Sequence, residues 1–554
     1  MKVISAFIFN IKNRIKKNER IYELIFSLWS RWCLFRAAAI FRKIKHVNVD
    51  RNIKVIIYGL RTIPTTSLVY FDAIFAHAFK KLGCETKILY CDGVFASCDA
   101  DTYFRSQKPA CNLCRYYGQA FKKAINLDSL SFKEFISPEE IRKSEELIAE
   151  IPVAELKNYT YLGVNIGIQA RASTIRYFLT GELDYNRRDQ VAMLRKKIAH
   201  GMNVVKIANQ VYQKEKPQVI FMMHGIYSSW GPFFDFFRTK NVDVVVYYNM
   251  PHKLGFFLFT RNGRDYDLAF ADAWEKIKKR KLVKREQEEI DSYLSSRFKG
   301  TSNDQLMYGK NFNNKKSEYL RLISSAGYKR KYVLFPNLAW DACVEVRGNA
   351  IFDDMLSWIN KTIKYFREKP DYLLVIKPHP GEIVWELGEL GTISIREYIS
   401  KHNPHLPKNI IILPPDVPLK AYELAAKDTI CLTLAGSIGI ELATQAIPVI
   451  VTGNMHYKDA GIVYQVKDQQ EYFTLLDNPQ KVVAFAENNQ ELAKKYAYYW
   501  FFRLFHRVPF YKDDVWSKFD WRAVKDINKL FADDGQVMKI ANKIIHGEDM
   551  VAPL

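Results

Sequence analysis

Three short stretches in the second half of the chain carry residue types whose spacing suits the binding of a phosphate. In Lys377-Pro378-His379-Pro380-Gly381-Glu382 the prolines stiffen a turn, so that a fixed cation and a proton-capable imidazole are presented together. Leu434-Ala435-Gly436-Ser437-Ile438-Gly439-Ile440-Glu441 runs from an apolar segment into a helix. The free N–H groups of such a start and the Ser437 hydroxyl can receive a phosphate, and Gly436 and Gly439 permit close approach. Glu441, about one turn on, can reach a ribose or sugar hydroxyl. In Phe335-Pro336-Asn337-Leu338-Ala339-Trp340-Asp341, Asn337 and Asp341 can orient a donor. Plainer readings stand beside these: His379 capping a carbonyl at a strand exit, Ser437 as a simple N-cap, and Asp341 capping the next helix.

In the first half, Asp92 in Cys91-Asp92-Gly93 and His224 in His224-Gly225 each close an apolar run, and each is a candidate general base for an acceptor hydroxyl. Each can equally be a polar residue that stabilises a turn. Cys91, Cys98, Cys111 and Cys114 fall within 24 residues and end in a C-x2-C pair. They can hold a structural zinc, line an acceptor loop without metal, or pack as small apolar side chains. No cofactor is expected for catalysis, and disulfides are not expected in a reducing compartment.

The elements that must position these residues alternate strand and helix. Ile53–Gly59, Thr86–Gly93, Pro217–Gly225 and Val242–Tyr248 read as strands, with a helix over Leu68–Gly83 between the first two. The pattern restarts with Lys331–Asn337, Tyr372–Pro380, Asn409–Pro415, Thr429–Ser437 and Pro448–Gly453, with helices over 355–366, 421–427 and from Ile438. The charged stretch 276–330 lacks a continuous apolar face and predicts the boundary between two domains. The chain therefore divides into a basic helical segment (1–50), a Rossmann-like acceptor domain (51–290), a linker (291–328), a Rossmann-like donor domain (329–480) and C-terminal helices (481–554) that can return to the first domain.

Composition is that of a compact globular protein, at 48% hydrophobic and 26% charged residues over 554 positions. The net charge of +22 calls for acidic partners. No uninterrupted apolar run reaches the roughly 18 residues of a spanning helix, so the chain is not expected to cross a membrane, and no secretion signal is read at its start. Ile4, Phe7, Ile8, Ile11 and Ile15 share one helical face among Lys12, Arg14, Lys16 and Lys17. That pattern suits docking on an anionic membrane surface and equally suits packing on the protein's own core. The aromatic and basic run Lys494–Lys512 fits a buried helix first and a headgroup boundary second; no nucleic-acid partner is expected.

The ordered blocks FPNLAWDA, FDDMLSWINKTI, LLVIKPHPGE, AYELAAKDTICLTLAGSIGIELATQAIPVIVTGNMHY and EYFTLLDNP, over roughly residues 330 to 510, resemble the capsule polysaccharide biosynthesis glycosyltransferases, a group that includes the Kdo transferases of capsule assembly. The resemblance implies a metal-independent GT-B enzyme, α/β in class, with two Rossmann-like domains facing across a cleft. It implies that His379 and Pro380 contact donor phosphate with Ser437 and Gly439 beside them. It further implies transfer of a sugar, Kdo from its CMP carrier in the sharpest form, to a lipid-linked or growing surface polysaccharide, by a cytoplasmic protein at the inner face of the cell membrane. A sugar-nucleotide epimerase, a polyol-phosphate transferase and a catalytically silent basic scaffold that binds membrane or nucleic acid are the rival readings.

Overall fold

Apolar runs with few charges cannot alternate between core and solvent, so they fold as parallel strands covered on both faces. The computed structural model describes residues 19–45, 51–95, 97–99, 110–249, 255–264, 271–299, 316–324, 327–347, 351–384, 394–512 and 518–551. The amphipathic pattern read over residues 4–17 lies outside the described residues.

The N-terminal domain runs α1 (Glu19–Phe41), β1 (Arg51–Leu60), α2 (Ser67–Lys81), β2 (Cys84–Tyr90), α3 (Ala110–Ile125), β3 (Ser129–Ser131), α4 (Ile166–Phe178), α5 (Arg188–Glu215), β4 (Val219–Met223), α6 (Tyr227–Thr239), β5 (Asp243–Asn249) and β6 (Phe256–Arg261). Its strands lie in the order β3-β2-β1-β4-β5-β6, parallel except for β6, which runs against β5. The C-terminal domain runs α7 (Lys284–Lys299), β7 (Arg330–Phe335), α8 (Ala342–Arg347), α9 (Met355–Arg367), β8 (Tyr372–Ile376), β9 (Ile410–Ile412), β10 (Thr429–Thr433), α10 (Ile438–Ala443), β11 (Val449–Val451) and β12 (Tyr464–Gln465). Its sheet is parallel throughout, in the order β9-β8-β7-β10-β11-β12. Both sheets have the 3-2-1-4-5-6 order of Rossmann folds, so the chain is two Rossmann-like α/β domains. In such sheets the loops diverge where the order reverses, between β1 and β4 and between β7 and β10.

The C-terminal segment crosses between the domains. α11 (Gln490–Tyr498) packs in the C-terminal core, where Tyr496, Ala497, Tyr499 and Trp500 are buried. β13 (Phe505–Arg507) then pairs antiparallel with β6 and completes the edge of the N-terminal sheet. α12 (Gln536–Ile545) packs beside α2, and Arg261 from β6 donates to the Lys543 and Ile544 carbonyls, satisfying two groups that a helix end leaves unpaired.

Three expectations are corrected. The charged stretch read as a boundary contains α7, whose Ile290, Leu294 and Arg297 are buried in the C-terminal core beside Val333, Cys431 and Ile440. Two apolar residues one turn apart suffice to seat a helix that is otherwise charged. Also, Glu23–Phe41 within α1 is long and apolar enough to cross a membrane by length and composition, with a mean hydropathy of 1.3. Arg31 and Arg36 interrupt the apolar run without lowering its average enough to fail that test. Lastly, the helix expected over 421–427 is a single turn, Ala421–Leu424.

Because Leu294 is buried in the domain core, Leu294→Ala should destabilise the C-terminal domain by about 2–4 kcal/mol in denaturant unfolding. A linker position would respond by less than about 0.5 kcal/mol.

Candidate functional site

At the switch point of the C-terminal sheet, the loop after β7 and the loop after β10 are tied together. The Ala435 N–H donates to Asn337 Oδ1 at 3.1 Å, and the Tyr457 hydroxyl donates to the Gly436 carbonyl at 2.7 Å. Gly436 holds φ +130°, which a residue with a Cβ adopts poorly. Asn337 therefore acts on the loop that carries Gly436 and Ser437.

One strand away, β8 delivers Lys377 and His379. Lys377 is 8% exposed and has no ion-pair partner among the described residues. Burial alone pulls its ammonium down to about 8, so at neutral pH it remains a cation with no counter-charge. His379 Nδ1 accepts the Gly381 N–H at 3.0 Å, which leaves the proton of the neutral ring on Nε2. Loss of hydration, with the Lys377 charge adding to it, pulls the ring down to about 4, so at neutral pH His379 is a hydrogen-bond donor and not a cation. Glu382 follows, buried, its carboxylate receiving the Ile395 N–H, and burial raises it to about 8.

Two residues do other work than their motif suggests. Glu441 is 2% exposed and receives Arg297 at 2.8 Å from α7, so it faces the domain core and cannot reach a ribose. A Cβ on Gly439 would stand 2.6 Å from the Tyr457 hydroxyl, so that glycine admits a core tyrosine. Position in a motif did not reveal which way the helix turned its faces.

Between the domains lies an open cleft of about 570 Å³. Lys157, Arg171 and Gly181 line it from the N-terminal side, and Asp341, Glu345 and Asp354 from the other. Arg171 of α4 and Glu345 of α8 meet across it at 2.5 Å, with the Tyr185 hydroxyl accepting a second Arg171 proton at 3.0 Å. Asp341 thus borders the cleft, whereas Lys377 and His379 are not among the residues that line it. No sequence pattern marks the Arg171–Glu345 pair, because its partners lie in different domains.

On the N-terminal sheet, Asp92 follows β2 and His224 follows β4, on either side of β1. Both have positive φ, +53° and +59°, and each is followed by a glycine that does too. Non-glycine residues hold that region at a cost of about 1–2 kcal/mol, so both turns are sharply specified. Asp92 is buried and ion-paired with Lys122 of α3. His224 is half-buried with its ring edge-on to Trp230 at 5.9 Å. Beneath the same loops, the Asp99 carboxylate receives Lys197 Nζ and the Ser229 N–H, each at 2.9 Å. Burial would raise Asp99, but Lys197, His200 and Ser229 outweigh it and hold the carboxyl well below its usual range. This buried pair anchors the segment that carries the cysteines.

The four cysteines do not form the zinc site allowed for by their spacing. Among the described residues no group of three or more His, Cys, Asp or Glu side chains is placed to hold a metal ion. Cys111 and Cys114 are buried on α3, and burial pushes the Cys91 thiol up to about 12, so it stays protonated at neutral pH.

No family model matches the chain, and no curated protein does. Among solved structures it is similar to a beta Kdo 2,7 transferase of Thermosulfurimonas dismutans, at 15% identity over 47% of this chain and 73% of that one, with a TM-score of 0.29. It is also similar to a UDP-GlcNAc 2-epimerase from Neisseria meningitidis (11%, 80% and 97%, 0.23) and to a sucrose-phosphate synthase from Thermosynechococcus elongatus (10%, 86% and 98%, 0.25). Similarity this low adds nothing to the strand order as a statement of fold.

A Cβ built on Gly381 would stand 2.8 Å from His379 Nδ1, so Gly381→Ala should displace the ring. Nitrogen-detected NMR should then show His379 losing its single Nε2–H tautomer. Glu382 makes a separate prediction. Its folded pKa of about 8 exceeds the ordinary 4.5, so its contribution to stability is complete below about 4.5 and is lost as pH rises to about 8. Glu382→Gln should flatten that part of the stability profile measured by chemical unfolding.

Proposed function

We propose that this chain is a glycosyltransferase whose C-terminal domain holds a nucleotide-sugar donor at the carboxyl edge of β7, β8 and β10. The observation that carries the reading is Lys377, a buried cation without a counter-charge among the described residues. A lone buried charge is unfavourable, and a phosphate group supplies the missing partner. The His379 Nε2–H stands two residues away on the same stiff turn and adds a neutral donor. As the bond from sugar to phosphate breaks, negative charge grows on the departing nucleotide, and two fixed donors aimed at it lower the barrier. The positive charge comes from the chain's own lysine, in keeping with a transferase that needs no divalent metal.

The acceptor side belongs to the N-terminal domain. Asp92, ion-paired with Lys122, and His224, edge-on to Trp230, are the two candidates for the group that takes the acceptor proton. The finer reading is a CMP-activated sugar, Kdo in its sharpest form, passed to a lipid-linked or growing surface polysaccharide; it rests on the His379-Pro380 turn and the block resemblance.

The test is a thermal-shift titration of the folded protein with CMP, UDP, GDP and CDP compounds. One nucleotide class should stabilise it, His379→Ala should abolish the shift, and the affinity should weaken as pH rises through about 8, where Lys377 loses its proton. Lys377→Met should bind weakly at every pH. A folded protein indifferent to all four classes would falsify the donor site.

A further inference from the structure

α1 is apolar on two faces, and among the described residues only one of them is covered. Cys33, Ala37, Ile40 and Phe41 are buried against the N-terminal domain, in one core with α2 and α12. At about 100° per residue, Leu24, Leu28 and Phe35 fall on the opposite side, Trp32 and Ile25 flank them, and Trp29 lies toward the covered face, one turn before Cys33. All six are exposed, Leu24 at 61% and Phe35 at 71%, and Tyr116 of the neighbouring α3 adds a ring at 70%. A helix that is apolar all round is ordinarily buried all round, so this face calls for a second apolar phase.

The charges around it name that phase. Residues 1–50 hold eleven Lys and Arg against three Asp and Glu. Arg31 borders the stripe, and Arg42, Lys43 and Lys45 follow it, all exposed. An apolar strip edged by the exposed Trp32 and flanked by lysine and arginine matches the boundary between acyl chains and anionic headgroups, where indole and tyrosine rings also settle.

We infer that α1 lies in the plane of an anionic lipid surface, with its Leu24–Phe35 face immersed and its Cys33–Phe41 face retained by the protein. It does not span, although its length and composition would allow it, because spanning would strip the buried face from the core. Arg36 also donates to the Trp521 carbonyl at 3.1 Å and holds the helix to the domain. The inference is independent of the transferase reading.

The test uses the full chain and vesicles of phosphatidylcholine with and without phosphatidylglycerol. The protein should sediment with the anionic vesicles, and Leu24→Glu/Leu28→Glu/Phe35→Glu should lower the bound fraction about tenfold at unchanged circular dichroism. If the triple variant fails to fold, Phe35→Glu alone, read by quenching of Trp29 and Trp32 with brominated lipid, reports the same contact, with Trp29→Phe/Trp32→Phe as the control. Unaltered binding by the triple variant would overturn the proposal in favour of residues 1–18. A protein that ignores vesicles would overturn it too. So would one that elutes as a dimer which the triple variant dissolves, because a second copy would then cover the face.

Discussion

The site depends on a limit of parallel sheets. Two parallel strands that start from a common neighbour and run to opposite sides must leave their following loops apart, because no short connection can bridge them. In the C-terminal domain that gap lies between β7 and β10, and a side chain spans it: Asn337 accepts from Ala435 and fixes the Gly436–Ser437 loop. Tyr457 holds the same loop from the other side, in space that Gly439 leaves open. The turn that bears Lys377 and His379 is then set by β8, hydrogen-bonded to β7 along its whole length. The positions of the phosphate-type donors thus follow from strand order, with the asparagine making the crevice rigid.

Buried charge separates the candidate site residue Lys377 from the architectural pairs. Arg297 and Glu441 are both nearly inaccessible and face each other, as do Lys197 and Asp99. Each pair satisfies itself and fastens one element to another: α7 to α10, and the cysteine-bearing loop to α5 and α6. Lys377 has been carried inward with no such companion among the described residues. A lone charge of that kind persists only where the surrounding fold is stable enough to hold it, and its place at a strand's carboxyl end argues for a visiting anion.

Much of the scaffold was legible in the sequence because parallel strands are near-continuous apolar runs, as in Val219–Met223 and Tyr372–Ile376. The antiparallel β6 and the short β3, β12 and β13 were not, since two or three residues carry no period and β6 is separated from its partner β13 by the whole C-terminal domain. At the site, Lys377, His379 and Asn337 were identifiable by their place after a strand. Glu441 was misread because only tertiary packing decides which helix face meets α7. Arg171 with Glu345, and Lys197 with Asp99, were illegible because each pair joins residues far apart in the chain. The exposed face of α1 escaped a search for unbroken apolar runs, since Arg31 and Arg36 break the run without breaking the stripe.

The return of the chain at β13 shapes how the molecule can be made. During vectorial synthesis β6 emerges with one edge unpaired, and its partner is not translated until the entire second sheet has left the ribosome. Through that interval the nascent N-terminal sheet displays a free row of amides and carbonyls flanked by Phe257 and Phe259, the kind of edge that recruits foreign strands. Its maturation is therefore post-translational, and a cell that makes this protein must keep that edge shielded by a chaperone or by speed.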